Sequence, residues 1–165
     1  MGTGRDIVVG ELTSESPHLA TVARWLSEAW GISQGYDLSE TLAWCHDLAE
    51  ADDQAIIAAT RASRLVGTVL VVDCDLDGYA HLRPWVSSLY VPPAERRRAI
   101  GESLLGAACD WARAKAYSTL YLYARKGRLT AYYGRLGWRR LRDVALDGQE
   151  FQIMGKGLSE IGRDP

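Results

Sequence analysis

Cysteine is scarce in this chain. Cys45, Cys74 and Cys109 are an odd number, far apart, and no CxxC pair exists. That excludes a disulfide framework or a cysteine zinc site and fits a reducing compartment. Histidine is as thin: His18, His46 and His81 stand at spacings that no metal site uses, so no metal is expected. Long apolar runs are missing too. None approaches the ~18 residues of a membrane-spanning helix; the longest stretch, 65–72, is interrupted by Gly67 and Thr68. Residues 1–9 contain no apolar segment long enough for a secretory signal. A soluble, cytoplasmic protein without a membrane partner is the expectation. Nor is there an excess of positive charge: 19 Lys and Arg against 21 Asp and Glu leave a net charge of -2. General nucleic-acid binding, which leans on a basic surface, is thereby excluded. Neither GxxxxGK[ST] nor GxGxxG occurs, so a nucleotide phosphate loop is disfavoured.

What remains is an ordinary globular composition, 47% hydrophobic and 24% charged over 165 residues. A chain of this length buries roughly 70% of its unfolded surface and needs no covalent staple. No repeat, low-complexity tract or linker divides it, so residues 1–165 read as one domain. A strand is predicted over 7–12. Ser16 then reads as the N-cap of a helix with Pro17 in its first position and Leu19, Val22, Ala23, Leu26 and Trp30 on one face, ended by Gly31. After the loop 31–38, a second helix starts near Ser39, with Leu42, Cys45, Leu48 and Ala49 as its stripe. Strands follow over 55–60 and 65–73 as an antiparallel pair, then a loop over 74–82 and a strand over 85–91, stopped by Pro92 and Pro93. A helix over 100–116 leads to a strand over 118–124, a crossover that implies two parallel neighbours. A short helix over 130–136 ends at Gly137, and strands 138–144 and 150–156 close as a hairpin on Asp147-Gly148. The order βααβββαβαββ describes a mixed α/β sheet with helices on its faces.

The chemistry concentrates in 85–105, WVSSLYVPPAERRRAIGESLL. A strand ends in prolines, a basic loop follows, and Ala99-Ile100-Gly101 enters a helix. The first turn of a helix offers unpaired N–H groups and a positive dipole end, which suits a pyrophosphate. Small residues at 99 and 101 let an anion approach the backbone, and Arg96, Arg97 and Arg98 add charge at the rim. The same residues are explained equally well by a solvated charge run and a glycine that eases packing.

The pattern Val91-x-Pro93-x-x-Arg96-Arg97-x-Ala99-Ile100-Gly101-x-x-Leu104-Leu105 resembles the acetyl-CoA-binding motif of the GNAT family of N-acetyltransferases, with Ala99 where the first glycine is usual. Downstream, Tyr132-Tyr133-Gly134-Arg135-Leu136-Gly137-Trp138 resembles the family's aromatic-Tyr-x-x-x-Gly-aromatic signature; Lys126 stands where an asparagine is often found. The element order is similar as well. The resemblance implies a GNAT-like, mostly antiparallel central sheet with a parallel central strand pair and helices on both faces. It implies acetyl-CoA as cosubstrate, held by the backbone of Leu89, Tyr90 and Val91 along the pantetheine and by Arg96, Arg97, Arg98, Ala99, Ile100, Gly101, Glu102 and Ser103 around the pyrophosphate. It assigns Tyr133 as the acid that protonates the departing thiolate. Adjacent residues of a helix point about 100° apart, so Tyr132 and Tyr133 cannot both face the core.

The resemblance thus implies an N-acetyltransferase acting on a primary amine of a small molecule or peptide. The alternative is a non-catalytic acyl-CoA-binding sensor of the same fold. A general base is not fixed by the sequence: strand 85–91 has no acid, which leaves Asp73, Asp75, Asp77, His81 or a water held by Ser87 or Ser88. Glu28, Tyr36, Asp37 and the hairpin aspartates lend the acceptor side an acidic bias that suggests a cationic amine. Many family members pair, so a homodimer is among the expectations. Cys109 reads as a small core residue, and no activated cysteine is present for a covalent acyl-enzyme.

Overall fold

A computed structural model describes residues 6–31 and 34–159. Residues 1–5, within the stretch searched for a secretory signal, and residues 32–33 of the loop 31–38 lie outside the described part. In chain order the elements are β1 (Val8–Glu11), α1 (Leu19–Leu26), α2 (Leu38–Glu50), β2 (Ala55–Arg61), β3 (Arg64–Val72), β4 (Trp85–Tyr90), α3 (Ile100–Ala114), β5 (Thr119–Arg125), α4 (Arg128–Arg135), β6 (Arg139–Leu146) and β7 (Gln149–Gly157). Their order is βααβββαβαββ. The strands form one sheet in the order β1-β2-β3-β4-β5-β7-β6, mostly antiparallel, with a β4–β5 pair that runs parallel through Trp85 and Tyr121. No helix of the described residues is long and apolar enough to cross a membrane.

The chain divides into two compact units, the first of Met1–Val72 and Ser87–Ala108, the second of Asp73–Val86 and Cys109–Pro165. In the first, β2 and β3 meet in a two-residue turn whose Ala62 and Ser63 both take left-handed φ (49° and 63°), the geometry that matches strand twist. Helix α1 starts at Leu19 rather than at Ser16. The Ser16 hydroxyl accepts from the His18 N–H at 3.2 Å and so shapes the turn before the helix instead of capping it. Leu19, Val22, Ala23 and Leu26 are buried, but Trp30 is not on that face and is 37% exposed. The cause is a π-type turn over Ser27–Gly31, whose wider spacing rotates the chain off the α-helical stripe. Helix α2 begins one residue earlier than the apolar pattern predicts, because Asp37 and Glu40 form a reciprocal capping box at 2.8 and 2.9 Å. Cys45 and Leu48 of its stripe are buried while Leu42 and Ala49 are half-buried.

Gly67 of β3 marks a close approach in this unit. A methyl group there would lie 2.9 Å from Ile100 Cγ2, 3.0 Å from Leu104 Cδ1 and 3.4 Å from Val91 Cγ2. Glycine is what lets the start of α3 seat on β3. Gly67→Ala should therefore cost about 1–3 kcal/mol, the range for overpacking a filled core, and lower the thermal midpoint; an unchanged midpoint would contradict that packing.

In the second unit β7 lies between β5 and β6, so the closing hairpin presents its earlier strand as the edge. Edge strand β6 is mostly exposed and carries Arg139, Arg140 and Arg142, with a register shift between 140 and 142; charge and a bulge both discourage further pairing. The hairpin turns on Asp147 and Gly148 with φ of 49° and 74°. The buried core of this unit includes Trp85, Leu120, Leu122, Ile153 and Met154.

Candidate functional site

The coenzyme residues expected from the sequence all belong to the first unit. Leu89 and Tyr90 end β4, half-buried, after Ser88 takes a left-handed φ of 53° that kinks the strand. The Ser87 and Ser88 hydroxyls are 3.2 Å apart. Pro92 and Pro93 stop the strand, and a single 3-10 turn, Pro93–Glu95, reverses the chain. Arg96 Nε then donates back to the Val91 carbonyl at 2.9 Å. Arg97 and Ala99 follow in left-handed conformation, φ 64° and 59°. Such a backbone costs an L-residue about 1–2 kcal/mol and costs glycine nothing, which is why glycine suits position 99. Helix α3 starts at Ile100, whose side chain is core; its contribution to an anion site is confined to its backbone. Ser103 donates to the Ala99 carbonyl through both its N–H and its hydroxyl at 3.1 Å. By helix geometry the N–H groups of residues 100–102 have no acceptor within the helix. The side chains of Arg96, Arg97, Arg98, Glu102 and Ser103 are exposed, and Gly101 is half-buried. Three exposed arginines and a bare helix start thus stand in one short loop, a donor set that fits a pyrophosphate.

Glu95 is a residue the sequence reading missed. It is 7% exposed and takes one guanidinium on each oxygen, Arg61 and Arg64, both at 2.6 Å. The Arg61 hydrogen bond foremost, with the charges of Arg61, Arg64 and Arg98 behind it, holds its carboxyl below the usual carboxylate range. The ends of the β2–β3 turn thereby grip the 3-10 turn that leads into the arginine loop. Nothing in the local sequence announces this, since the partners are 31 and 34 residues away. A cavity of ≈ 510 Å³ in the same unit is lined by His18, Thr21, Arg24, Trp25, Arg64 and Glu95 among others.

Tyr133 belongs to the second unit. It lies in the last turn of α4, and the helix closes behind it in a Schellman arrangement: Gly137, at φ 92°, donates to the Gly134 carbonyl at 3.1 Å and Trp138 to the Tyr133 carbonyl at 3.1 Å. That cap sets the Trp138 ring 6.2 Å from the Tyr133 ring, with Tyr132 at 5.3 Å on another side. Tyr133 is 9% exposed while Tyr132 is half-buried, so the two do face differently. Burial, with Tyr132 second, pushes the Tyr133 phenol up to about 12. The Trp138 indole N–H is buried without a hydrogen-bond partner among the described residues.

The base candidates lie in this unit as well. Asp73 is ion-paired with Arg83. His81 stacks on Tyr79 with centroids 6.0 Å apart, and Asp77 sits exposed in the loop. Asp75 is half-buried and, after burial itself, helps raise the Tyr123 phenol on β5. Among the described residues no three His, Cys, Asp or Glu side chains are grouped to hold a metal. Cys109 and Cys45 are buried and desolvation raises both thiols, Cys45 to about 11, the opposite of an activated nucleophile.

A family model described as "Acetyltransferase (GNAT) family" matches residues 19–138. Among solved structures, an aminoglycoside 6'-N-acetyltransferase complexed with coenzyme A aligns with a TM-score of 0.74 at 15% identity, over 96% of this chain and 99% of that one. The structure named yncA, from Salmonella typhimurium with its cofactor acetyl-CoA, aligns at 0.72 and 16% identity, over 93% and 95%. The aminoglycoside 6'-N-acetyltransferase from Enterococcus faecium aligns at 0.71 and 15% identity, over 96% and 99%. A comparison with curated proteins finds no match.

Proposed function

The chain belongs to the GNAT family of acetyltransferases, and from that premise we propose that residues 1–165 form one acetyl-CoA-dependent N-acetyltransferase domain that passes the acetyl group directly to a primary amine. The observation that carries the reading is the entry to α3, where Arg97 and Ala99 are left-handed, Arg96, Arg97 and Arg98 are exposed, and a 15-residue helix begins with free N–H groups. The names of the structural neighbours, with coenzyme A, acetyl-CoA and aminoglycosides in them, support the same chemistry.

In this mechanism Arg96, Arg97 and Arg98 bind the pyrophosphate, the backbone at Gly101 and Glu102 donates to it, and the strand end at Leu89, Tyr90 and Val91 offers its amides to the pantetheine. Attack of the amine nitrogen on the thioester carbonyl forms the C–N bond, breaks the C–S bond and expels the thiolate. A backbone N–H near Leu89 stabilises the oxyanion. The amine gives up one proton to solvent, to His81 or to a carboxylate, Asp73, Asp75 or Asp77. Tyr133 supplies its hydroxyl hydrogen to the departing sulfur, and the proton released by the amine restores the phenol through solvent. A phenol at about 12 remains protonated throughout the working range and is always ready to donate.

Direct transfer forbids an acyl-enzyme. Rapid mixing with acetyl-CoA alone should release no burst of thiol equal to the enzyme present, and thiol should appear only when amine is added. A stoichiometric burst without amine would overturn direct transfer.

A further inference from the structure

Tyr90 does two things on β4. Its backbone belongs to the strand end that the proposed function gives to the coenzyme, whereas its ring leaves the strand for an aromatic cluster. Trp25 of α1 meets it at 5.2 Å, tilted by 43°, and Trp30 of the π-type turn meets it at 6.2 Å, edge-on at 82°. The π-type turn that takes Trp30 off the buried stripe is what brings it here. Trp30 remains 37% exposed; Tyr36, whose N–H donates to the Gly31 carbonyl at 2.9 Å, is 57% exposed. Three aromatic rings, Trp25, Trp30 and Tyr90, thus gather where the chain leaves α1, and Trp30 keeps part of its surface open.

Arg24 precedes the cluster in α1, and the stretch that starts at Trp25 carries charge of one sign. Residues 25–60 contain seven acidic side chains, Glu28 and Asp37 among them, and no Lys or Arg, although the chain as a whole is nearly balanced. The cavity of the same unit, which Trp25 also lines, is the basic side of the cluster: Arg24 and Arg64 wall it, and its one carboxylate, Glu95, is committed to two arginines. A cation is repelled on that side of Trp25 and attracted to the Trp30 side. Ring faces attract cations and apolar planes, and they leave hydroxyl groups unpaired.

We infer that the acceptor of this transferase is a cationic arylalkylamine, a primary amine on a flat apolar body, held by Trp30 and the Tyr90 ring, with Glu28 in the same π-type turn as Trp30. The inference rests on the transferase reading and narrows its substrate class. A polyhydroxylated aminoglycoside, the substrate named for two of the neighbours, lacks the apolar plane that this surface would cover.

The test uses the whole chain with coenzyme A bound and follows 2-phenylethylamine binding by calorimetry. With acetyl-CoA, turnover is compared among 2-phenylethylamine, kanamycin and a lysine-containing basic peptide. The aryl amine should have the highest kcat/KM. Trp30→Ala should weaken phenylethylamine binding and raise its KM about five- to tenfold, the scale of a half-exposed cation–π contact. It should leave kcat and acetyl-CoA affinity within twofold, and Trp30→Phe should recover most of the loss. A preference for kanamycin or the peptide, or a KM indifferent to Trp30→Ala, overturns the inference and leaves the transferase reading standing. Trp30-dependent binding of phenylethylamine without turnover of any amine does the reverse: the site survives and the transferase reading fails.

Discussion

Tyr133→Phe should lower kcat by about a hundredfold while acetyl-CoA affinity and the thermal midpoint hardly move. General acid help is typically worth about 10²–10⁴-fold. A phenol pushed up to about 12 is a weaker acid than the ideal, which puts the expected loss at the lower end. Phenylalanine keeps the ring and its contacts with Trp138 and Tyr132, so the fold loses nothing but a hydroxyl. Tyr132→Phe should do little to the rate. The pH dependence follows from the direction of the shift. A group whose pKa rises on folding keeps its proton further up the scale, so Tyr133 donates at every pH below about 11. Rates should climb with pH as the acceptor amine loses its proton, and no falling limb should appear below pH 10. Wild-type kcat in Tyr133→Phe, measured where chemistry limits turnover, or a falling limb near pH 8 that the substitution removes, would count against this role.

Gly101→Glu should weaken acetyl-CoA binding by about 10² or more. Two like charges ~4 Å apart repel by about 4 kcal/mol at an effective dielectric near 20, and exposure to solvent takes back part of that. The same substitution puts a carboxylate in the first turn of α3, where the helix dipole favours it. The fold should therefore keep its stability while the coenzyme is lost, and calorimetry beside a thermal melt separates the two. An unchanged dissociation constant in the folded variant would remove the pyrophosphate from this loop.

Local chemistry made much of the fold legible. The Asp147-Gly148 turn and the apolar spacing of α3 each carry their instruction within a few residues, and the corresponding elements stand where that spacing predicts them. Asp37-x-x-Glu40 was equally readable as a cap, yet the apolar stripe alone started α2 one residue late. The insertion of β7 between β5 and β6 could not be read, because both strands of a hairpin have the same local pattern whichever pairs outward. Trp30 misled for a related reason: it fits the 3.6-residue stripe, and only a π-type turn, which has no composition signal, takes it off. In the candidate site, the loop at 96–101 and the end of α4 were visible as patterns. The Glu95 clamp was not, since two arginines on a distant turn select it.

Acetyl transfer itself is tested most directly by incubating the whole chain with acetyl-CoA and an amine panel headed by 2-phenylethylamine, then quantifying free coenzyme A thiol and N-acetylated amine together. Thiol and amide should appear in equal amounts and both should depend on the amine. Tight binding of acetyl-CoA with no amide formed from any amine would contradict the account and leave a coenzyme-binding protein without transferase activity.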